Sequence, residues 1–359
     1  MATTAQPVAE QPELVGPIRR PRSLWSDARR RLLSSALGRI GLGICGFLVA
    51  VAVFVPIFFP YDPSIDRDTR NKLKPPSWTL SAAERAELKY PVQVVENGKK
   101  VTKQETGWGL MQRPFGTDEL GRDLFVRVLH GAPISLTVGM VAVLLSVLAG
   151  SLLGLLSGFI GGLFDTVAVW FMDILLAFPS ILLAIALTAI SNNPKSFAAN
   201  LYAQIDSVPV LSSVIDAPLF NAMLAVAIVE IPIFARIARA AVLSVRSQEY
   251  IVAAESFGAK PRRILFRHIL PNSLTPILVQ MTLSIATAIT SVAALGFLGL
   301  GAQPPRPEWG TMLAASRNYV GTGQWWYTLF PGIAIMLTVL GFNLLGDGLR
   351  DALDPRVRA

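Results

Sequence analysis

The sequence predicts an all-α, polytopic membrane protein of about six transmembrane helices, with an external insertion after the first. Three observations predict it. The chain is 52% hydrophobic and only 16% charged over 359 residues, too apolar for an ordinary soluble domain. The windows 41–60, 131–164, 174–194, 273–305 and 318–346 contain no charged residue, and 217–235 is interrupted only by Glu230. About 20 apolar residues are enough to cross a bilayer core. Lys and Arg gather at the ends of these windows, the bias that marks cytoplasmic segments.

Residues 1–35 read as a cytoplasmic N-terminal tail, rich in Pro, Ala and Arg and disordered over its first part. With no apolar core before the first span, that span is a retained signal anchor. It covers 36–60 and stops at "FFPYDP". It holds Cys45, the single cysteine, which has no internal partner and reads as a small core hydrophobe. Residues 61–130 form an extracytoplasmic segment, near charge balance, with a hairpin expected at "VQVVENGKKVTK" because Asn97-Gly98 favours a tight turn. Residues 131–349 supply five further spans and a basic loop at 244–272, and 350–359 form a second cytoplasmic tail.

Within that core, Gly150, Gly154, Gly158 and Gly162 recur every fourth residue. They make a smooth stripe against which a helix of this subunit or of a partner can pack closely. The third span should bend at Pro179. The fifth runs into "LGFLGLGAQPPRPEWG", too rich in Gly and Pro to stay helical, and such backbone needs protein or a water-filled cavity around it. No repeat of the solenoid kind is evident.

The net charge of +8 does not point to nucleic acid, because its basic residues flank spans instead of forming a patch. Nor does the chain carry enzyme chemistry. Its two histidines, His130 and His268, fall on opposite sides of the predicted membrane. There is no His-Glu-x-x-His pair, no Gly-x-Ser-x-Gly elbow and no P-loop, so ATP is not bound here in the P-loop manner. Two acids stand at membrane depth, where a charge at mid-span costs about 2.5–3.5 kcal/mol on insertion scales. Glu230 would either pair with Arg236 or line a pathway. Asp173 would lie at the interface, with the span beginning at Ile174, or share the pathway.

The loop at 244–272 departs most from its surroundings. In "AAESFGAKPRRILFRHILPN", Tyr250, Ala253, Ala254 and Phe257 share one face of a short helix. Gly258 would end that helix. Pro261 suits the first turn of a second helix continuing into span five. An apolar face with a basic rim fits a groove in a partner protein, or an anionic lipid surface.

This stretch resembles the EAA loop of ABC importer permeases: Val252-Ala253-Ala254, then Gly258, then His268-Ile269-Leu270-Pro271. Val252 replaces the usual Glu, and His268 stands where Ile is usual, as is common in the peptide branch. "FGTDELGRDLFVRVLHGAPISL" (115–136), "DILLAFPSILLA" (173–184), "FLGLGAQPPRPEWGTML" (297–313), "FPGIAIMLTVLGFNLLGDGLRDALDPR" (330–356) and "PRSLW" before span one resemble the C-type permease subunit of dipeptide and oligopeptide importers. Many members carry an acid where Val292 stands here, and 66–112 is longer than usual.

The resemblance implies a type I ABC importer permease bundle. Its partners would be a second homologous permease, two cytoplasmic ATPases and an extracytoplasmic substrate-binding protein, all working across the lipid bilayer of a bacterial inner membrane. ATP and Mg would be held by the ATPases, with no cofactor in this chain. Tyr250, Ala253, Ala254, Glu255, Phe257, Gly258, Ala259, Leu270 and Pro271 would form the ATPase-coupling loop. Peptides are the implied cargo, with nickel chelates, glutathione or oligosaccharides as alternatives. The rival of another class is a stand-alone channel or secondary transporter.

Overall fold

The computed structural model describes residues 24–62, 67–96, 99–109, 111–205 and 215–353. The helices long and apolar enough to cross a membrane are α2 (Ala36–Phe58), α4 (Leu124–Ile160), α8 (Ala217–Arg246), the run Pro261–Phe297 and α13 (Trp325–Leu353). The pair α5 (Gly162–Ala177) and α6 (Ser180–Ser191), bent by 95° at its junction, counts as a sixth when taken as one broken span, and the short α7 (Phe197–Ile205) follows it. The bundle is all-α, as the apolar windows predict.

Several boundaries differ from the sequence reading. Residues 24–34, assigned to the N-terminal tail, form helix α1 (Leu24–Ser34) ahead of the first span. Helix α4 starts at Leu124, capped by the Asp123 carboxylate on the Phe125 N–H, and so reaches back into the segment assigned outside the membrane. The helix of the third span is already under way before Ile174. Its first arm, α5, starts at Gly162, and the bend expected at Pro179 is present as a break of 95° between α5 and α6. Proline lacks the N–H that would continue α5 and pushes Phe178 into extended backbone.

The core is built around α8, the most enclosed of the spanning helices, which packs along α4 and also against α6 and α11 (Leu270–Phe297). The glycine stripe explains the closeness of α4 and α8. A Cβ at Gly150 would stand 2.5 Å from the Ile231 carbonyl oxygen, and one at Gly154 would collide with the Ala235 carbonyl. The stripe therefore serves a contact inside this subunit, and Gly162 falls beyond it at the start of α5. On the far side, α2 packs on α13.

Between α2 and α4 lies the insertion. It holds helix α3 (Ala82–Glu87), with a reciprocal capping box between Ser81 and Glu84, and an antiparallel hairpin of β1 (Lys89–Glu96) and β2 (Lys99–Thr106). The expected hairpin is present, pairing Glu96 with Lys99, while Asn97-Gly98 lies outside the described residues. The insertion is strapped to the bundle by buried charge. Fully buried Asp118 accepts from the Leu120 and Arg122 N–H groups (2.9 Å each), from Arg122 Nε at 2.7 Å, and has Arg127 Nε at 3.3 Å. Beside it, the Thr117 hydroxyl donates to the Asn71 carbonyl at 2.6 Å.

After α11 the backbone leaves the helix at Leu298 and re-enters one at α12 (Trp309–Ser316), as its Gly and Pro content predicts. Glu308 caps α12, its carboxylate accepting from the Gly310 and Thr311 N–H groups at 2.8 and 2.9 Å. The Trp309 indole N–H reaches the Val128 carbonyl at 2.9 Å and ties this segment to α4.

Candidate functional site

Two features gather the residues singled out in the sequence: the loop joining α8 to α11, and a cavity among the spans.

The loop has two arms. The first, α9 (Glu249–Ser256), ends in a paired cap: the Gly258 N–H donates to the Glu255 carbonyl at 2.9 Å, and the Ala259 N–H to the Ala254 carbonyl at 3.0 Å. This 5→2 plus 6→1 pattern is the Schellman motif, which needs a left-handed residue at its bend. Gly258 supplies it at φ +77°. The second arm starts at Pro261, the first residue of α10 (Pro261–Ile264), and passes through a π-helical turn, Leu265–Ile269, into α11. Single π turns cluster at functional sites, because the extra residue re-aims the side chains around it.

What holds the arms is a small apolar cluster of Val242, Ile251, Ile264 and Ile269, with Ala259 and Phe159 against it. Ile251 is fully buried and pins α9, a role that helical periodicity alone assigned to none of the loop residues. Of the predicted face, Phe257 is 92% exposed, Tyr250 and Ala253 are exposed and Ala254 is half-buried. Tyr250 is also tied to the second arm: its hydroxyl accepts from Asn272 Nδ2 at 3.1 Å, and its ring lies 6.3 Å from that of His268. Glu255 and Pro271 are exposed, and Leu270 is half-buried. Exposed Val252 and Phe266 extend the apolar surface, rimmed by Lys260, Arg262, Arg263 and Arg267. A monomer gains nothing by presenting Phe257 this way. Phe257, Val252 and Phe266 thus form an exposed apolar patch of the kind that marks interaction sites.

The cavity, of about 570 Å³, lies among α5, α6, α8, α11 and α13. Its walls are mostly apolar, with Ser180, Thr287, Thr290, Ser291 and Asn343 among them, and Glu230 is its one charged residue. Glu230 is not paired with Arg236. Its carboxylate accepts from the Ser284 hydroxyl at 3.0 Å and the Thr287 hydroxyl at 3.4 Å. Arg236 instead bonds Asp173 at 2.5 Å, and both side chains are about half exposed. One turn along α8, Arg239 grips Asp165 with two bonds of 2.5 and 2.6 Å. The two membrane acids thus part company. Asp173 links α5 to α8 in an ion pair, while Glu230 faces the cavity without a cation. Asp165 was missed in the sequence, although an acid in the first turn of a helix that follows two glycines was there to be seen.

The comparisons with known proteins bear on both features. The family model for the binding-protein-dependent transport system inner membrane component matches residues 150–359, which include the loop, Glu230 and the glycine stripe. The chain belongs to that family. A second model, the N-terminal transmembrane domain of oligopeptide transport permease C, matches 23–76. The permease is 42% identical to the dipeptide transport system permease protein of Alkalihalophilus pseudofirmus, covering 94% of this chain and 91% of that one. It is 39% identical to a glutathione transport system permease protein of Escherichia coli, covering 94% and 92%. Among solved structures it is similar to the MetNI methionine ABC transporter in inward-facing conformations, at 18% identity and a TM-score of 0.48, covering 64% of this chain and 96% of that one. The family resemblance read from the loop and flanking motifs is therefore correct: this is an ABC importer permease of the dipeptide family, a multi-pass membrane protein whose relatives are transport components and not enzymes.

Proposed function

We propose that this permease forms, with a second homologous permease, the translocation path of an ATP-driven importer of di- and oligopeptides. Two cytoplasmic ATPases bind and hydrolyse ATP with Mg, and an extracytoplasmic binding protein delivers cargo. Both termini and the loop at 244–272 face the cytoplasm, and 61–130 face outward, in keeping with the Arg bias. Tyr250, Ala253, Ala254, Glu255, Phe257, Gly258, Ala259, Leu270 and Pro271 form the coupling loop.

One observation supports this reading above the rest: a left-handed cap at Gly258 presents an exposed Phe257 on a helix that Ile251 pins to the bundle. A side chain shown outward on a rigid mount suits a groove in a partner, as helix-in-groove recognition requires. Closure of the ATPases would then push the loop, and α8 and α11 would carry the displacement to the cavity. Peptide cargo is favoured by the similarity to dipeptide and glutathione permeases, glutathione being itself a tripeptide.

The test is reconstitution in proteoliposomes with a second permease, two ATPases and a binding protein. Peptide-loaded binding protein should stimulate ATP hydrolysis several-fold and drive uptake. Uptake by this chain alone, without ATP, would establish the channel or secondary-transporter reading instead.

A further inference from the structure

We infer that Glu230, with the hydroxyls around it, is the subsite that receives the ammonium group of the cargo as it crosses the bundle; the inference rests on the peptide-importer reading above. An ionised carboxylate offers about four acceptor positions. Glu230 uses at most two, on Ser284 and on Thr287, and the second bond is long because the single Thr287 hydroxyl proton also reaches the Ser284 carbonyl at 3.0 Å. No cation compensates it. The arginines nearest along α8 are spoken for, Arg236 by Asp173 and Arg239 by Asp165, and no Lys, Arg or His lines the cavity. A buried carboxyl with no cation beside it either holds a proton or takes a cation from outside, and an ammonium entering the cavity would supply the second.

The geometry favours an organic ammonium over a metal ion. A hard cation needs six or so oxygen ligands, usually from several carboxylates. The cavity has one carboxylate, and no group of three potential metal ligands occurs among the described residues. An ammonium needs three acceptors. Glu230 supplies two free positions, and Thr287, Thr290 and Asn343 line the same space. The volume, about 570 Å³, is that of a small-ligand site. Its remaining walls are mostly aliphatic, with Phe178, Ser180 and Ser291 among them, and carry no further charge to select a side chain. The shared ammonium of varied peptides is then the feature this half of the path can recognise, and two hydroxyl donors keep the carboxylate oriented between cargoes.

The experiment uses the complete importer in proteoliposomes, with radiolabelled alanyl-alanine at a concentration that saturates the binding protein, so that selection by that protein drops out. The quantity read is peptide moved per ATP hydrolysed. E230Q should lower it by roughly tenfold, the factor expected when a charge-assisted contact of about 1.4 kcal/mol is lost. Complex yield and hydrolysis without binding protein should hold. E230D keeps the charge but withdraws it by one methylene. It should raise the uptake ratio of β-alanyl-alanine, whose ammonium reaches one methylene further, to alanyl-alanine several-fold over the wild-type ratio.

E230Q uptake within about twofold of wild type, or an unchanged ratio in E230D, would overturn the inference. So would a parallel fall in yield and basal hydrolysis with E230D at the wild-type ratio, which would make the residue structural. If the wild-type complex moves neither alanyl-alanine nor longer alanine peptides with ATP, the peptide-importer reading fails and this subsite falls with it.

Discussion

Gly258 is the residue whose replacement asks most sharply whether the loop couples. At φ +77° it occupies the left-handed region, and nothing lies within 4 Å of where a Cβ would stand. A substitution there meets no steric wall, so its effect is almost purely backbone strain. For an ordinary L-residue that strain is about 1–2 kcal/mol, with Asn the partial exception and β-branched residues the worst case. In the free permease the strained loop relaxes by opening the cap, giving up the Gly258 and Ala259 hydrogen bonds and releasing Phe257 from its mount. On docking, the cap must reform, so the strain appears in the binding equilibrium.

Since 1.4 kcal/mol is tenfold, Gly258→Val should weaken ATPase binding to the purified permease pair by about tenfold or more. Gly258→Ala should fall between, and Gly258→Asn should stay within about threefold of wild type. A titration of labelled ATPase against the detergent-purified pair measures this. The spans are remote from the bend, so insertion and yield should be unchanged. Wild-type affinity in the Val variant refutes the reasoning. So does an Asn variant as weak as the Val variant, because that would indict side-chain bulk at the interface and not φ.

Further expectations follow from the same structure. In a Cys45→Ser background, a cysteine placed at Met111, which is 86% exposed in the insertion, should react with an impermeant thiol reagent in intact cells, the outer membrane permeabilised if there is one. One placed at Phe257 should react only after lysis; the reverse pattern inverts the topology. Asp118→Asn strips the counter-charge from buried Arg122 and Arg127, and should lower stability by about 3–5 kcal/mol. An unchanged thermal midpoint would contradict that burial. Gly154→Leu should prevent α4 and α8 from closing and abolish accumulation of folded protein, whereas Gly43→Leu, with open space around it, should be tolerated. Glu308 lies outside the spans, and burial pushes its carboxyl up to about 7, against the lowering effect of the Gly310 and Thr311 N–H groups. The folded state therefore holds that proton more tightly than the unfolded chain. Stability should be full below the ordinary carboxyl value of 4.5 and fall as pH rises towards 7. Glu308→Gln should flatten the profile over that interval, and an identical profile in the variant would rule the group out.

Much of this molecule was legible because the bilayer constrains sequence so strongly. Charge-free windows mark the spans, and Pro179 and the Gly- and Pro-rich run after α11 mark the breaks. These are local statements about backbone and burial, and a linear chain displays them. The loop was legible for the same reason: its bend needs φ > 0, and Gly258 followed by Pro261 announces it. Tertiary partners are another matter. Glu230 and Arg236, six residues apart on one helix, invite pairing, yet the guanidinium goes to Asp173 on α5, sixty-three positions away. No spacing rule predicts which helix reaches across to α8, where α5 supplies both Asp165 and Asp173.

Ile251 was hidden for a similar reason. Periodicity sorted α9 into a face containing Tyr250 and Phe257, but which face turns inward depends on where Ile264 and Ile269 arrive from the other arm. The insertion misled in the opposite sense. Its near-balanced charges mark it, in the sequence, as extracytoplasmic, whereas Asp118 and Arg122 are buried in it, against Arg127 at the start of α4. Besides capping α12 through Glu308, charge inside this otherwise apolar protein is put to three uses. It latches the insertion through Asp118, braces α5 on α8 through Asp165 and Asp173, and is left uncompensated at Glu230. The third ties α8 to α11 through the Ser284 and Thr287 hydroxyls but meets no cation in the cavity, and that is the reason to look for its partner in the cargo.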